Sequence, residues 1–177
     1  MKRRKATTKG YGRRKGLLWL AVLLVALVWA AEGSAQTALR IGNPLPSAIL
    51  PGLTGVPVRI PESVKGSVVL LHFWQVGCSS CKQEMPAIEE LYGKYRRKGL
   101  EVLAVNIGQS RETVRAFAAE AGVSYPILID PGRKSAALFG VTDVPRTYLL
   151  DRGGAIRYRI MGGATPEMLK KLVLSLL

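Results

Sequence analysis

The chain of 177 residues carries 26 Lys and Arg against 12 Asp and Glu, a net charge of +14, and it holds two cysteines and one histidine. A closed structural zinc site needs four Cys or His ligands, so that class is excluded. Eight of the positive charges fall within residues 1–16, which contain no acid; an excess confined to one end argues against a nucleic-acid-binding surface and for a terminus retained in the cytoplasm.

That basic stretch runs into Leu17–Ala31, fifteen uninterrupted apolar residues. Its length lies between a signal-peptide core and the roughly 20 residues that span a bilayer. Gly33-Ser34-Ala35 forms a small-residue cleavage site before Gln36, so one reading is a cleaved signal peptide. The other is an uncleaved signal anchor, lengthened by Gly16 and the neutral residues after Glu32. Arg13-Arg14 also raises a twin-arginine signal, weakly matched by the Lys-Gly-Leu-Leu that follows. All three readings put the rest of the chain outside the cytoplasm, whereas a buried helix of a soluble domain leaves the basic leader unexplained. The organisation expected is a leader over 1–36, a linker over 37–40 and one folded domain over 41–177, a usual domain size.

Within that domain, Ala48–Leu50 and Val56–Ile60, joined through Gly52–Gly55, suit a hairpin. Val68–Trp74 is a short β-branched and aromatic run of the kind that forms a buried central strand. Cys81–Lys98 reads as an exposed helix ended by Gly99, with Pro86 inside it and expected to kink it. Leu100–Ile107 is the next buried strand. Ser110 caps a helix running to Ala121, with Gly122 past its end. Tyr125–Ile129 reads as a strand, Lys134–Phe139 as a short helix, and Arg146–Leu150 and Ile156–Met161 as two strands joined across Arg152-Gly153-Gly154. Thr165 as N-cap and Pro166 at the first position open a closing helix, Glu167–Leu176. Strands alternating with helices before a final hairpin and helix give an α/β class with a mixed sheet covered on both faces.

Cys78 and Cys81, spaced Cys-x-x-Cys, stand between the central strand and the helix after it. A helix N-terminus presents unpaired N–H groups and a positive dipole end, so a Cys78 thiolate forms there more easily than at a free thiol pKa of about 8.5. The pattern points to thiol–disulfide exchange. An inert disulfide remains open, although a loop so short constrains the unfolded chain little, and metal transfer through two thiolates remains open as well. No cofactor and no metal is called for.

The segment Phe73-Trp74…Cys78-x-x-Cys81-Lys82-x-Glu84-Met85-Pro86 resembles the active-site segment of the membrane-associated thioredoxin-like oxidoreductases, the TlpA/ResA-like group that includes the cytochrome c maturation thioredoxins. The resemblance extends to Ile41-Gly42-Asn43-Pro44-x-Pro46, to Lys65-Gly66 and to Val144-Pro145-x-Thr147-Tyr148-Leu149-Leu150-Asp151-x-Gly153-Gly154, and covers about Ile41 to Leu177. Two positions depart from the pattern: Gly77 stands where the group usually has Trp, and Ser79-Ser80 where it usually has a Pro between the cysteines.

The resemblance implies a thioredoxin-like fold with an N-terminal β-hairpin extension, and it favours the anchor over the cleaved leader. It implies Cys78 as the more exposed attacking cysteine, Cys81 as its resolving partner and the pair as a redox disulfide. Glu84 on its own reads as a solvated glutamate; the resemblance implies a partly buried acid that exchanges protons with the cysteines. For Pro145 an X-Pro bond is cis in only about 5–6% of cases, so the residues alone favour trans, while the resemblance implies a cis Val144–Pro145 bond that faces the dithiol and offers backbone to a substrate. Trp74 is expected to wall the site, with substrate contact as the lesser reading. His72 reads as a packed core histidine without a role.

The partners implied are disulfide-bearing extracytoplasmic proteins, apocytochrome c among them, and a transmembrane electron donor; no nucleic acid is involved. No Cys-x-x-Cys-His occurs, so the chain is not itself a haem carrier. A thiol peroxidase of the peroxiredoxin type is the runner-up, but it would place Thr or Ser where Gln75 stands, and a non-catalytic metal-binding module would lack a nearby histidine.

Overall fold

The computed structural model describes residues 39–177. The basic leader, the apolar run and the first half of the linker lie outside the described residues. Among the described residues, no helix is long and apolar enough to cross a membrane.

The centre of the fold is β3 (Val68–Trp74), buried at all seven positions. Its run of branched and aromatic side chains can be buried on both faces only if neighbouring strands satisfy both edges of its backbone. On one edge it pairs parallel with β4 (Leu100–Ile107), Val68 opposite Leu100. On the other it pairs antiparallel with β6 (Arg146–Leu150), Val69 opposite Leu150. Outside these lie β5 (Ile127–Asp130) and β7 (Ile156–Met161), giving the order β5-β4-β3-β6-β7. A separate antiparallel hairpin is formed by β1 (Ala48–Pro51) and β2 (Pro57–Ile60).

Alternate residues of β3 feed two cores. Val68, Leu70 and Trp74 pack with Cys81, Met85 and Ile88 of α1 (Ser79–Tyr95), with Val114 of α2 (Arg111–Ala121) and with Leu169 of α4 (Pro166–Leu174). Val69, Leu71 and Phe73 pack against the hairpin residues Leu50 and Ile60 and against Ala136 of α3 (Lys134–Leu138). Phe73 meets Phe139 and Tyr148 edge-on at 5.8 and 6.2 Å. Each such large apolar side chain contributes about 1.5–3 kcal/mol by leaving water, so the two-sided burial of β3 fixes the platform under the cysteines.

The limits of β3, β4, β6 and β7 match the sequence reading. The helix after β3 does not: α1 begins at Ser79, not Cys81, because Cys78 is itself the N-cap, its Sγ accepting from the Cys81 N–H at 3.2 Å. α1 ends at Tyr95, and a 3-10 turn over Arg96–Lys98 leads to Gly99 at φ +95°. Pro86 lies inside α1 at an exposed position. β5 is shifted toward Asp130, since Pro126 has no N–H for the ladder and pairing starts at Ala104–Ile127. The Asp130 carboxylate in turn accepts from the Lys134 and Ala136 N–H groups at 2.9 and 2.8 Å, fixing the start of α3.

Candidate active site

β3 delivers the chain to one end of the sheet, and the rigid platform ends at Trp74. Gln75 to Gly77 then carry it to Cys78, with Gly77 at φ +92°, a left-handed conformation that glycine adopts without steric cost. Cys78 and Cys81 are joined, S–S 2.00 Å and Cα–Cα 5.3 Å, so this is the oxidised form. The two sulfurs are unequal. Cys78 is half-buried at the first residue before α1, whereas Cys81 is 1% exposed and belongs to the core between sheet and helix. Besides the Cys81 N–H, the Ser80 hydroxyl lies 3.7 Å from the Cys78 sulfur. Donors at a helix N-terminus favour the thiolate of Cys78 once the bond is reduced.

One turn below Cys81, Glu84 turns inward instead of into solvent and is 4% exposed. Its Oε1 accepts from the Ala164 N–H in the turn before α4. Its Oε2 has no hydrogen-bond partner among the described residues and lies 3.7 Å from Nδ1 of His72, which is 2.9 Å from the Thr147 hydroxyl. Burial pushes the Glu84 carboxyl above its usual range, partly opposed by the Ala164 hydrogen bond. Burial likewise pushes the His72 imidazole down to about 4. Each group is driven toward its neutral form, and with the imidazole uncharged at neutral pH the contact is not a salt bridge. A buried carboxyl that holds its proton more readily than a free one, one helical turn after a cysteine, is suited to take up and return a proton.

The Val144–Pro145 peptide bond is cis. Pro145 is buried, its carbonyl accepting from Gly162 at 3.0 Å, while Val144 is half-buried and borders the same apolar cluster as Cys78. Trp74 is fully buried at the end of β3, where α2 lays Phe117 across it with the two rings 5.2 Å apart, a position that suits a wall of the site better than a substrate contact.

A family model described as the AhpC/TSA family matches residues 41–159. The chain belongs to this AhpC/TSA family. Its similarity to curated relatives is specific: the protein named Thiol-disulfide oxidoreductase ResA of Geobacillus thermodenitrificans is 36% identical over 155 residues, 86% of this chain and 88% of that one. The protein of the same name from Bacillus anthracis is 30% identical over 165 residues, 89% of this chain and 95% of that one. Among solved structures, a Chlorobium tepidum protein assigned as the thiol:disulfide interchange protein DsbE matches with a TM-score of 0.72 at 32% identity, covering 77% of this chain and 97% of that chain. This AhpC/TSA protein is thus a ResA/DsbE-like thiol–disulfide oxidoreductase of thioredoxin-like fold, with Cys78 and Cys81 as its cysteine pair.

Two features of this AhpC/TSA site were not legible beforehand. His72 sits beside Glu84, a contact that depends on which face of β3 meets α1; the available signal was that His72, Leu70 and Trp74 share one strand face. The other is Gln109, whose amide meets the loop before Cys78 and which no motif marks.

Proposed function

We propose that the domain is a reductant of disulfides in extracytoplasmic partner proteins, with Cys78 as nucleophile and Cys81 as resolving thiol. What carries this reading is the inequality of the two sulfurs: the half-buried one caps α1, and the buried one lies a helical turn above a carboxyl. In the reduced enzyme the Cys78 thiolate attacks a substrate disulfide, forming a mixed disulfide and releasing one substrate thiolate. Glu84 as carboxylate takes the proton from the Cys81 thiol. The Cys81 thiolate then attacks the Cys78 sulfur, closing the intramolecular disulfide and releasing the second substrate sulfur. Two electrons pass to the substrate, and a transmembrane electron donor returns them.

In this reading the backbone around Val144 and Pro145 receives the substrate chain beside Cys78. The leader's charge pattern supports an anchored, extracytoplasmic domain, and the similarity to ResA-named proteins supports haem-attachment cysteines of apocytochrome c as a substrate class. The test is Cys81→Ser in cells: it should accumulate a mixed disulfide through Cys78, absent when Cys78 is also replaced, and the trapped protein names the substrate. Absence of any Cys78-linked species would overturn the assignment.

A further inference from the structure

Three residues separate the last position of β3 from the reactive sulfur, and their backbone groups must be satisfied without a neighbouring strand. Both polar groups of Val76 go to one side chain. The Val76 N–H donates to Gln109 Oε1 at 2.6 Å, and Gln109 Nε2 donates to the Val76 carbonyl at 3.2 Å. The primary amide of Gln109 therefore does for Val76 what a paired strand residue does elsewhere in the sheet. Its orientation is fixed by a third contact, because Asn106, buried at the end of β4, donates its Nδ2 to the same Oε1 at 2.9 Å. Turning the amide over would set its NH2 against two donors.

Gln109 is itself held from both sides. Before it, Gly108 donates its N–H to the Asp130 carbonyl at 2.9 Å; after it, Ser110 caps α2 by accepting from Thr113 at 3.2 Å. A second stitch joins the same loop to β4: Gln75 Nε2 donates to the Ile107 carbonyl at 3.0 Å. Beyond the clamp the chain has only Gly77, exposed and at positive φ, before Cys78, whose N–H turns back to the Gln75 carbonyl at 3.2 Å.

We propose that Gln109 is a positioning residue for the reaction: by pinning Val76 to the end of β4 it keeps the Cys78 sulfur aimed at the N–H groups that open α1. The proposal rests on the reading of Cys78 as nucleophile. Without the clamp, Val76 exchanges both bonds for water, the glycine lets the loop swing, and the sulfur spends part of its time away from the helix end. The thiolate then loses stabilisation and the thiol moves up toward the free value of about 8.5. A residue that served stability alone would lower the unfolding midpoint without moving this titration.

The experiment is the pH profile of iodoacetamide alkylation of the reduced full-length protein, with the modified cysteine assigned by mass spectrometry. In Gln109→Met, which keeps the length and removes the amide, the Cys78 profile should shift upward by at least about half a unit, with alkylation at neutral pH slowed several-fold. Gln109→Asn keeps the amide on an arm too short to reach both Val76 groups and should shift the same way, so the test survives if the Met variant fails to fold. A folded variant whose Cys78 profile superimposes on the wild type overturns the role of Gln109. If Cys81 is the cysteine alkylated first in the wild type, the nucleophile assignment itself fails, which is a separate outcome.

Discussion

Glu84 and His72 are moved in opposite directions by one cause. Burial penalises whichever form is charged, raising the carboxyl and lowering the imidazole. For Glu84 the folded value lies above the unfolded one, so folding favours the protonated acid, and that stability is lost as pH rises through the folded value. The same displacement suits the proposed role, since an acid that holds its proton more readily than a free carboxyl can both accept and return one. Glu84→Gln preserves an oxygen for the Ala164 N–H and should leave the fold intact while slowing disulfide exchange in a pH-dependent way. Rates unchanged from pH 5 to 9 would return Glu84 to a packing role. His72 has the reverse sign: with a folded value of about 4 against an ordinary 6.5, its contribution is complete above pH 6.5 and disappears as pH falls toward 4. One proton over that interval amounts to at most about 3 kcal/mol. Denaturant unfolding at stepped pH should show this decline, and His72→Asn should flatten it by close to one proton; an equal slope in both proteins would show that His72 is not the group responsible.

At the scale of elements, the junction of β3 with α1 decides the redox character. The Cys78 sulfur faces the N–H groups of a helix end and a serine hydroxyl at 3.7 Å. The nearest cation on that turn, Lys82, is exposed and paired with Glu120 at 3.3 Å. Strong oxidants with this chemistry depend on a thiolate stabilised to a pKa around 3.5, and a helix N-terminus with weak donors supplies less than that. The expected potential is therefore on the reducing side, below about −200 mV. Equilibration with glutathione measures it: a dithiol that stays largely oxidised in strongly reducing buffer agrees, and one reduced by mild glutathione marks an oxidase or isomerase instead. The elements at this junction were legible to different degrees for physical reasons. β3 could be read because an apolar run bounded by turn residues has few alternatives. The start of α1 could not, because its cap is a cysteine sulfur, which propensity does not count among capping groups. The depth of Trp74 depends on Phe117, which is remote in sequence, and the partners of Glu84 and Val76 come from strand–helix register and a side-chain amide, neither of which has a linear signature.

The molecule as a whole is finished at both sheet edges by the segment that precedes β3. Gly42 and Asn43 pair with Ile156 at the start of β7, at 2.7 and 2.9 Å. Gly52 bridges to Leu128, and Leu53 donates to the Ile127 carbonyl at 2.8 Å on the edge of β5, where Arg111 Nη1 holds the Gly52 and Leu53 carbonyls at 2.8 and 2.7 Å. Gly52 itself is dictated by space: a Cβ there would stand 2.4 Å from the Val56 carbonyl oxygen. Covering part of each edge blunts strand-to-strand association there. A site of this kind is useful where substrate disulfides persist, which is an oxidising compartment. In the proposed reading the charge distribution points to the same side of the membrane, since eight basic residues and no acid precede the apolar run. The expected topology has residues 1–16 in the cytoplasm and the domain from Ile41 onward outside it. A reporter active only in the cytoplasm, fused after Leu177, should therefore be silent, while one that matures only outside should be active. The opposite pattern would put the dithiol among reduced thiols and remove the compartment in which a dedicated reductant of partner disulfides has work to do.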